Sequence, residues 1–183
     1  LGGLTLTKTG DGTLNINNQL NTGGGSVLIS AGALGGSGEI IGDLSNIGGT
    51  LAPGNSPGVM TIDGDYTQGT EGTLLIELSG TEAHDLLIVT GTADLAGTLD
   101  VVLLSGFEPA LGDHFSILEF GSTSSTFDAV SLPSLGGGLT WDESSLYSVG
   151  TLSVIPEPSS LVLLCIMLGG VLLHRRPAQS SVF

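Results

Sequence analysis

The chain has 183 residues, and its 31 glycines, 40% hydrophobic content and 4% aromatics allow one domain with an appendage while excluding collagen, since no Gly-X-Y period runs through it. Eighteen acidic residues stand against three Lys plus Arg, and only Lys8 of those three precedes Arg175 and Arg176. A phosphate backbone is bound by Lys and Arg that displace its counterions, so nucleic acid is excluded as a partner, and the single cysteine, Cys165, leaves the body without a disulfide framework, zinc ribbon or thiol nucleophile.

The chain opens LGGLTLTKTG, with no Met, charged n-region or h-region, so no secretory signal peptide is visible and it reads as the C-terminal portion of something longer, or as a misplaced start. Short β-type segments then recur between Gly-rich turns: LTLT at residues 4–7, TLNIN at 13–17, SVLIS at 26–30, TLLIEL at 73–78, LLIVT at 86–90 and TLDVVLL at 98–104. Period two is clear in several of them. Leu14 and Ile16 share a face opposite Asn15, Leu74, Ile76 and Leu78 share another, and so do Leu99, Val101 and Leu103. TGDGT, TGGG, AGALGGSG, IDGD and TGTADLAGT read as turns, because Gly, Asp and Asn tolerate positive φ. PGNSPG at residues 53–58 reads as a rigid corner, where two prolines fix φ and remove amide donors. No stretch before Pro156 sustains a helical period, so the body is expected to be nearly helix-free.

Phrases echo one another: KTGDGTLNI, GEIIGDLSN, GGTLAPG, EGTLLIELSG and GTADLAGTLDVVL. Imperfect recurrence of this kind favours stacked β-coils over an antiparallel sandwich, since each coil covers the apolar edge of the next. Near Ser105 the texture changes, and most of the phenylalanines, the only Trp and a Tyr follow. A β-rich cap is expected there, because a solenoid needs its open end closed.

LTLTKTGDGTLNINNQLNTGGGSVLISAGALGGSGEI resembles the autotransporter-associated β-strand repeat, and LAPGNSPGVMTIDGDYTQGTEGTLLIELSG is similar to the segment that follows such repeats in large surface proteins. The resemblance covers residues 1–104 and implies a right-handed parallel β-helix exposed on a bacterial surface. No amphipathic β-barrel translocator follows, so self-translocation is not part of the expectation.

The tail resembles a PEP-CTERM sorting signal: Pro156, Glu157 and Pro158 are followed by an apolar run at 161–173 and then by Arg175 and Arg176. That resemblance implies recognition by an exosortase-type membrane protease. The apolar run is shorter than the ~20 residues of a comfortable span. It reads as one short hydrophobic helix, extended by snorkelling arginines that stay cytoplasmic and leave the acidic body outside.

Elsewhere the chemistry is thin. Asp63 and Asp65 in TIDGDY raise a calcium site or a glycosidase-like carboxylate pair, but no DxDxDG ladder or tandem GGxGxDxUx repeat accompanies them, and a solvated turn is the better reading. His84–Asp85 and Asp113–His114 are adjacent pairs, and neighbours in a strand face opposite ways, so neither is expected to form a base and its orienter. GSGEIIG lacks the Lys and helix of a phosphate loop, Gly169–Gly170 is not a GxxxG pair, and Cys165 reads as a small apolar residue.

The expected molecule is all-β: a solenoid over 1–104, a β-rich cap over 105–155 and a sorting signal over 156–183. Its expected role is that of a non-enzymatic, exported structural or adhesive surface protein, without cofactor or metal. Its expected partners are the sorting protease, the inner membrane through the tail, and extracellular polysaccharide or other surface proteins. The alternative is a polysaccharide-binding or polysaccharide-degrading β-helix, and the degrading form is disfavoured because a lyase needs cations to neutralise uronate carboxylates and the body holds only Lys8.

Overall fold

The computed structural model describes residues 3–158. In chain order the first strands are β1 (Thr5–Lys8), β2 (Thr13–Asn15), β3 (Gln19–Ile29), β4 (Ala33–Gly36), β5 (Glu39–Asn46), β6 (Thr50–Pro53), β7 (Val59–Asp63) and β8 (Tyr66–Gln68). They are followed by β9 (Thr73–Leu78), β10 (Leu86–Asp94), β11 (Thr98–Leu103), β12 (His114–Ser116), β13 (Leu118–Thr123), β14 (Ala129–Ser131), β15 (Leu139–Asp142), the single-turn helix α1 (Leu146–Val149) and β16 (Thr151–Pro156).

The chain alternates between two parallel sheets. One has the order β1-β3-β5-β7-β10-β13, with β8 also pairing β5 and β10; the other has the order β14-β11-β9-β6-β4-β2. Every pairing between strands of these two sheets is parallel, which excludes the antiparallel sandwich and is compatible with a β-solenoid. β3 shifts register against β5 between Asn21 and Ser26, and the next coil breaks at the same place into β7 and β8. Each such coil therefore presents three extended segments.

Register explains the spacing of apolar residues. Leu14, Leu34, Leu51, Leu74, Leu99 and Val130 are partners through six consecutive strands. A second ladder runs Leu20, Ile40, Ile62, Val89, Phe120, and a third runs Leu6, Val27, Leu44, Tyr66, Ala93. Along β9 burial alternates residue by residue, with Leu74, Ile76 and Leu78 at zero exposure. A slip of one residue would turn that set to solvent, so the pattern fixes the pairing. Each fully buried Leu or Ile contributes ~1.5–3 kcal/mol of transfer free energy.

AGALGGSG, expected as a turn, contains β4. Leu34 is fully buried there, and Gly36 adopts φ +107 with the Ile16 carbonyl standing where a Cβ would lie. The glycines thus serve close backbone approach within a strand as well as turning, which composition alone does not distinguish.

Extra residues accumulate at one corner. Between β2 and β3 there are three, between β4 and β5 two, then five before β7, seven before β10 and fourteen before β13, whereas the corners leading into β4, β6, β9, β11 and β14 keep three to five. The change of texture at residue 105 does not coincide with a change of sheet. β13 and β14 extend the parallel stack by another coil, while β12, inserted at the growing corner, joins β16 and β15 in a separate antiparallel sheet, β12-β16-β15.

Candidate functional site

A polar ladder lies at the end of the third apolar row. Lys8, Ile29, Asn46 and Gln68 are register partners, and the three polar members are buried. The Lys8 ammonium donates to the carbonyls of Thr9, Gly10 and Ala31 at 3.0, 2.6 and 3.1 Å. Asn46 donates to Thr73 O and accepts the Gly49 amide. Gln68 donates from Nε2 to Gly72 O, Ala96 O and Thr98 O, and its Oε1 accepts the Tyr66 hydroxyl at 2.6 Å. Burial pushes that phenol well above its ordinary range. These side chains hydrogen-bond the backbone at the corners between coils. The missed signal is the phrase Gly-Asp-x-x-Asn/Gln, which occurs at Gly42–Asn46 and again at Gly64–Gln68.

The expected carboxylate candidates, Asp63 and Asp65, are each engaged in hydrogen bonds between coils. Asp65 Oδ1 accepts the Thr92 amide at 2.7 Å, the Asp65 amide donates to Asp43 Oδ1 at 3.0 Å, and Asp63 Oδ1 accepts the Thr90 hydroxyl at 3.0 Å. They stitch successive coils at a corner, which is more structured than the solvated turn expected there. Among the described residues no three His, Cys, Asp or Glu side chains form a metal-holding group.

His84 and Asp85 face different ways. Asp85 is 1% exposed and bridges two segments, its Oδ1 accepting the Gly58 amide at 2.8 Å and its Oδ2 the Glu77 amide at 2.9 Å. It holds the PGNSPG corner against β9, and Gly54, at φ +90, leaves the space that this carboxylate occupies. Burial pushes the Asp85 carboxyl up to about 6 against the pull of the two amides, and the Glu77 charge adds to the rise. His84 instead places Nε2 3.2 Å from Ser116 O and packs edge-on against Phe115 at 5.7 Å, and its buried Nδ1 has no hydrogen-bond partner. Asp113 accepts the Ala110 amide, whereas His114 Nδ1 pairs with Ser153 Oγ. Neither adjacent pair forms a base with its orienter.

The C-terminal motif is continuous with the antiparallel sheet β12-β16-β15, here called the cap. Pro156 is the last residue of β16, paired with Leu139 of β15, and Glu157 donates its amide to Gly138 O at 2.8 Å. Pro156, Glu157 and Pro158 are exposed. Beside them lies a groove of about 310 Å³ lined by Leu132, Pro133, Leu135, Trp141, Glu143 and Glu157. A second hollow of about 440 Å³ shares Ser134, Leu135 and Leu139 with it. Trp141 Nε1 donates to Pro133 O at 2.8 Å, which pins one wall, and its ring leans on Phe115 at 5.7 Å.

The apolar run at 161–173, Cys165, Gly169–Gly170 and the pair Arg175 and Arg176 lie outside the described residues. Among the described residues no helix is long and apolar enough to cross a membrane. No protein-family model matches the chain, and no curated protein matches it.

Proposed function

We propose that this chain is an exported, non-enzymatic surface or extracellular β-solenoid, right-handed like nearly all parallel β-crossovers, whose C-terminus is an exosortase-type sorting signal. The observation that carries the reading is the position of the motif. Pro156–Glu157–Pro158 closes the last strand of the antiparallel sheet, exposed, and in the sequence it is followed by an apolar run and two arginines. The body beyond Lys8 carries no Lys or Arg up to that point, so the positive-inside rule leaves it outside the cytoplasm. The acidic, tightly stitched stack suits a passive stalk or a surface for extracellular polysaccharide or other surface proteins. Lys8 is tied to three carbonyls, which counts against a lyase that would need it to neutralise a uronate carboxylate.

The test is expression of the full chain in hosts with and without the sorting protease. A shortened form, released from the membrane only when the enzyme is present, is the expected result. Identical size and location in both hosts sinks the reading.

A further inference from the structure

The sorting tripeptide is partly folded into the cap. Pro156 sits opposite Leu139, and the Glu157 amide reaches across to Gly138 O. In antiparallel geometry that bond flanks a pair whose own amides do not cross, so the missing N–H of Pro156 leaves no gap in the ladder. Pro158 also lacks a donor. The single amide of the tripeptide is therefore already used, and a partner cannot read it by donor-side strand addition. Recognition has to come from side chains, carbonyls and the surface beside them.

That surface is formed. The groove next to Glu157 is lined by Leu135 and Trp141, the latter held by the Trp141–Pro133 hydrogen bond, and by two exposed carboxylates, Glu143 and Glu157. No cation lines it, and Lys8, the one Lys or Arg among the described residues, is spent in the first coil. An anionic lipid surface is repelled by such a lining. A protein segment with a basic residue beside an apolar one matches both the two carboxylates and the Leu135 and Trp141 side chains.

Resting on the sorting reading above, we propose that the signal is a composite: the tripeptide together with the cap groove, docked by a basic outward-facing segment of the membrane enzyme that processes the tail. The folded cap presents the motif at fixed distance and orientation from the groove. Processing is then coupled to folding, because a chain whose cap has not formed offers the letters without the surface.

Three full-length variants test this in the host that carries the enzyme, with the ratio of processed to unprocessed chain followed by pulse-chase. Alanine at Pro156, Glu157 and Pro158 together abolishes processing; no effect there overturns the sorting reading itself and this proposal with it. Insertion of a Gly-Ser-Gly-Ser spacer between Ile155 and Pro156 keeps the motif's letters and the Leu135, Trp141 and Glu143 side of the groove, but carries the motif, with Glu157, away from it. Glu143→Lys keeps motif and groove in place and reverses one of the two charges. Each is expected to slow processing roughly tenfold or more, as charge reversal and lost register do at steered interfaces. Glu143 is exposed, so the variant keeps its fold, checked by an unchanged unfolding midpoint. Wild-type rates for Glu143→Lys and the spacer variant, with the alanine variant dead, overturn the composite and leave the simple tail signal standing.

Discussion

In the stack, Leu34, Leu51 and Leu74 have leucine partners above and below, whereas in the cap Phe115 meets His84, Phe107 and Trp141 at ring distances of 5.7, 6.0 and 5.7 Å. The stack is narrow and repetitive, its interior set by register and its corners closed by Lys8, Asn46 and Gln68. The cap is built once, from antiparallel strands and aromatic rings of unlike size. The stack spreads its stability over equivalent positions, while the cap concentrates it in a few. That difference also explains where the exposed motif and groove lie, since a repeat offers the same surface over and over and a unique surface arises where repetition ends.

The comparison can be broken first at Phe115. Phe115→Ala is expected to cost about 3–5 kcal/mol by denaturant unfolding, more than Leu74→Ala in the stack, because no like-shaped neighbour relaxes into the space. A larger loss from Leu74→Ala would reverse the assignment of roles. Next comes Gln68→Ala, which removes the side-chain hydrogen bonds to the Tyr66 hydroxyl and to the carbonyls of Gly72, Ala96 and Thr98 and should cost about 2–3 kcal/mol in the same assay. A loss below ~0.5 kcal/mol would mean that water enters the corner and the ladder is dispensable.

A third expectation concerns pH. Asp85 titrates near 6 in the folded protein against an ordinary 3.8, so the folded state holds its proton more tightly than the unfolded chain. Its contribution to stability is complete below about 3.8 and is lost as pH rises through about 6. Wild type should therefore gain stability relative to Asp85→Asn as pH is lowered from 7 towards 4. A difference that stays flat across that window in paired melting curves removes burial of the carboxylate as a factor. The smallest effect is at Ser105, which holds φ +53 just after β11. Ser105→Gly should stabilise by at most about 1 kcal/mol, and a loss of melting temperature would show that its side chain has a role in joining the stack to the cap.

Much of the stack was legible in the chain. TLLIEL is β9 residue for residue, and its inward face is Leu74, Ile76 and Leu78 as period two requires. β4 was hidden because ALGG looks like punctuation until the neighbouring coils show Leu34 in line with Leu14 and Leu51. Asn46 and Gln68 were hidden for a related reason: amide side chains beside glycine read as turn formers, and only register reveals that they occupy one buried position in successive coils. The opposed facing of His84 and Asp85 followed from strand geometry alone. The use of Asp85 as a bridge between residues 58 and 77 did not, since it depends on contacts distant in sequence. The aromatics mark the stretch that holds the antiparallel sheet, but its interleaving with the last parallel coil was not legible, because nothing local says whether Phe115 or Phe120 belongs to the stack.

The single corner at which coils lengthen, from two residues to fourteen, bears on engineering. Four successive coils have taken in different amounts of chain there while the leucine row beneath stayed in line. That edge is therefore a natural splice point: a reporter epitope or a small ligand-binding module placed among residues 79–83 would ride on the outside of the stack, and modules placed in successive coils would be spaced by the coil rise rather than by linker length.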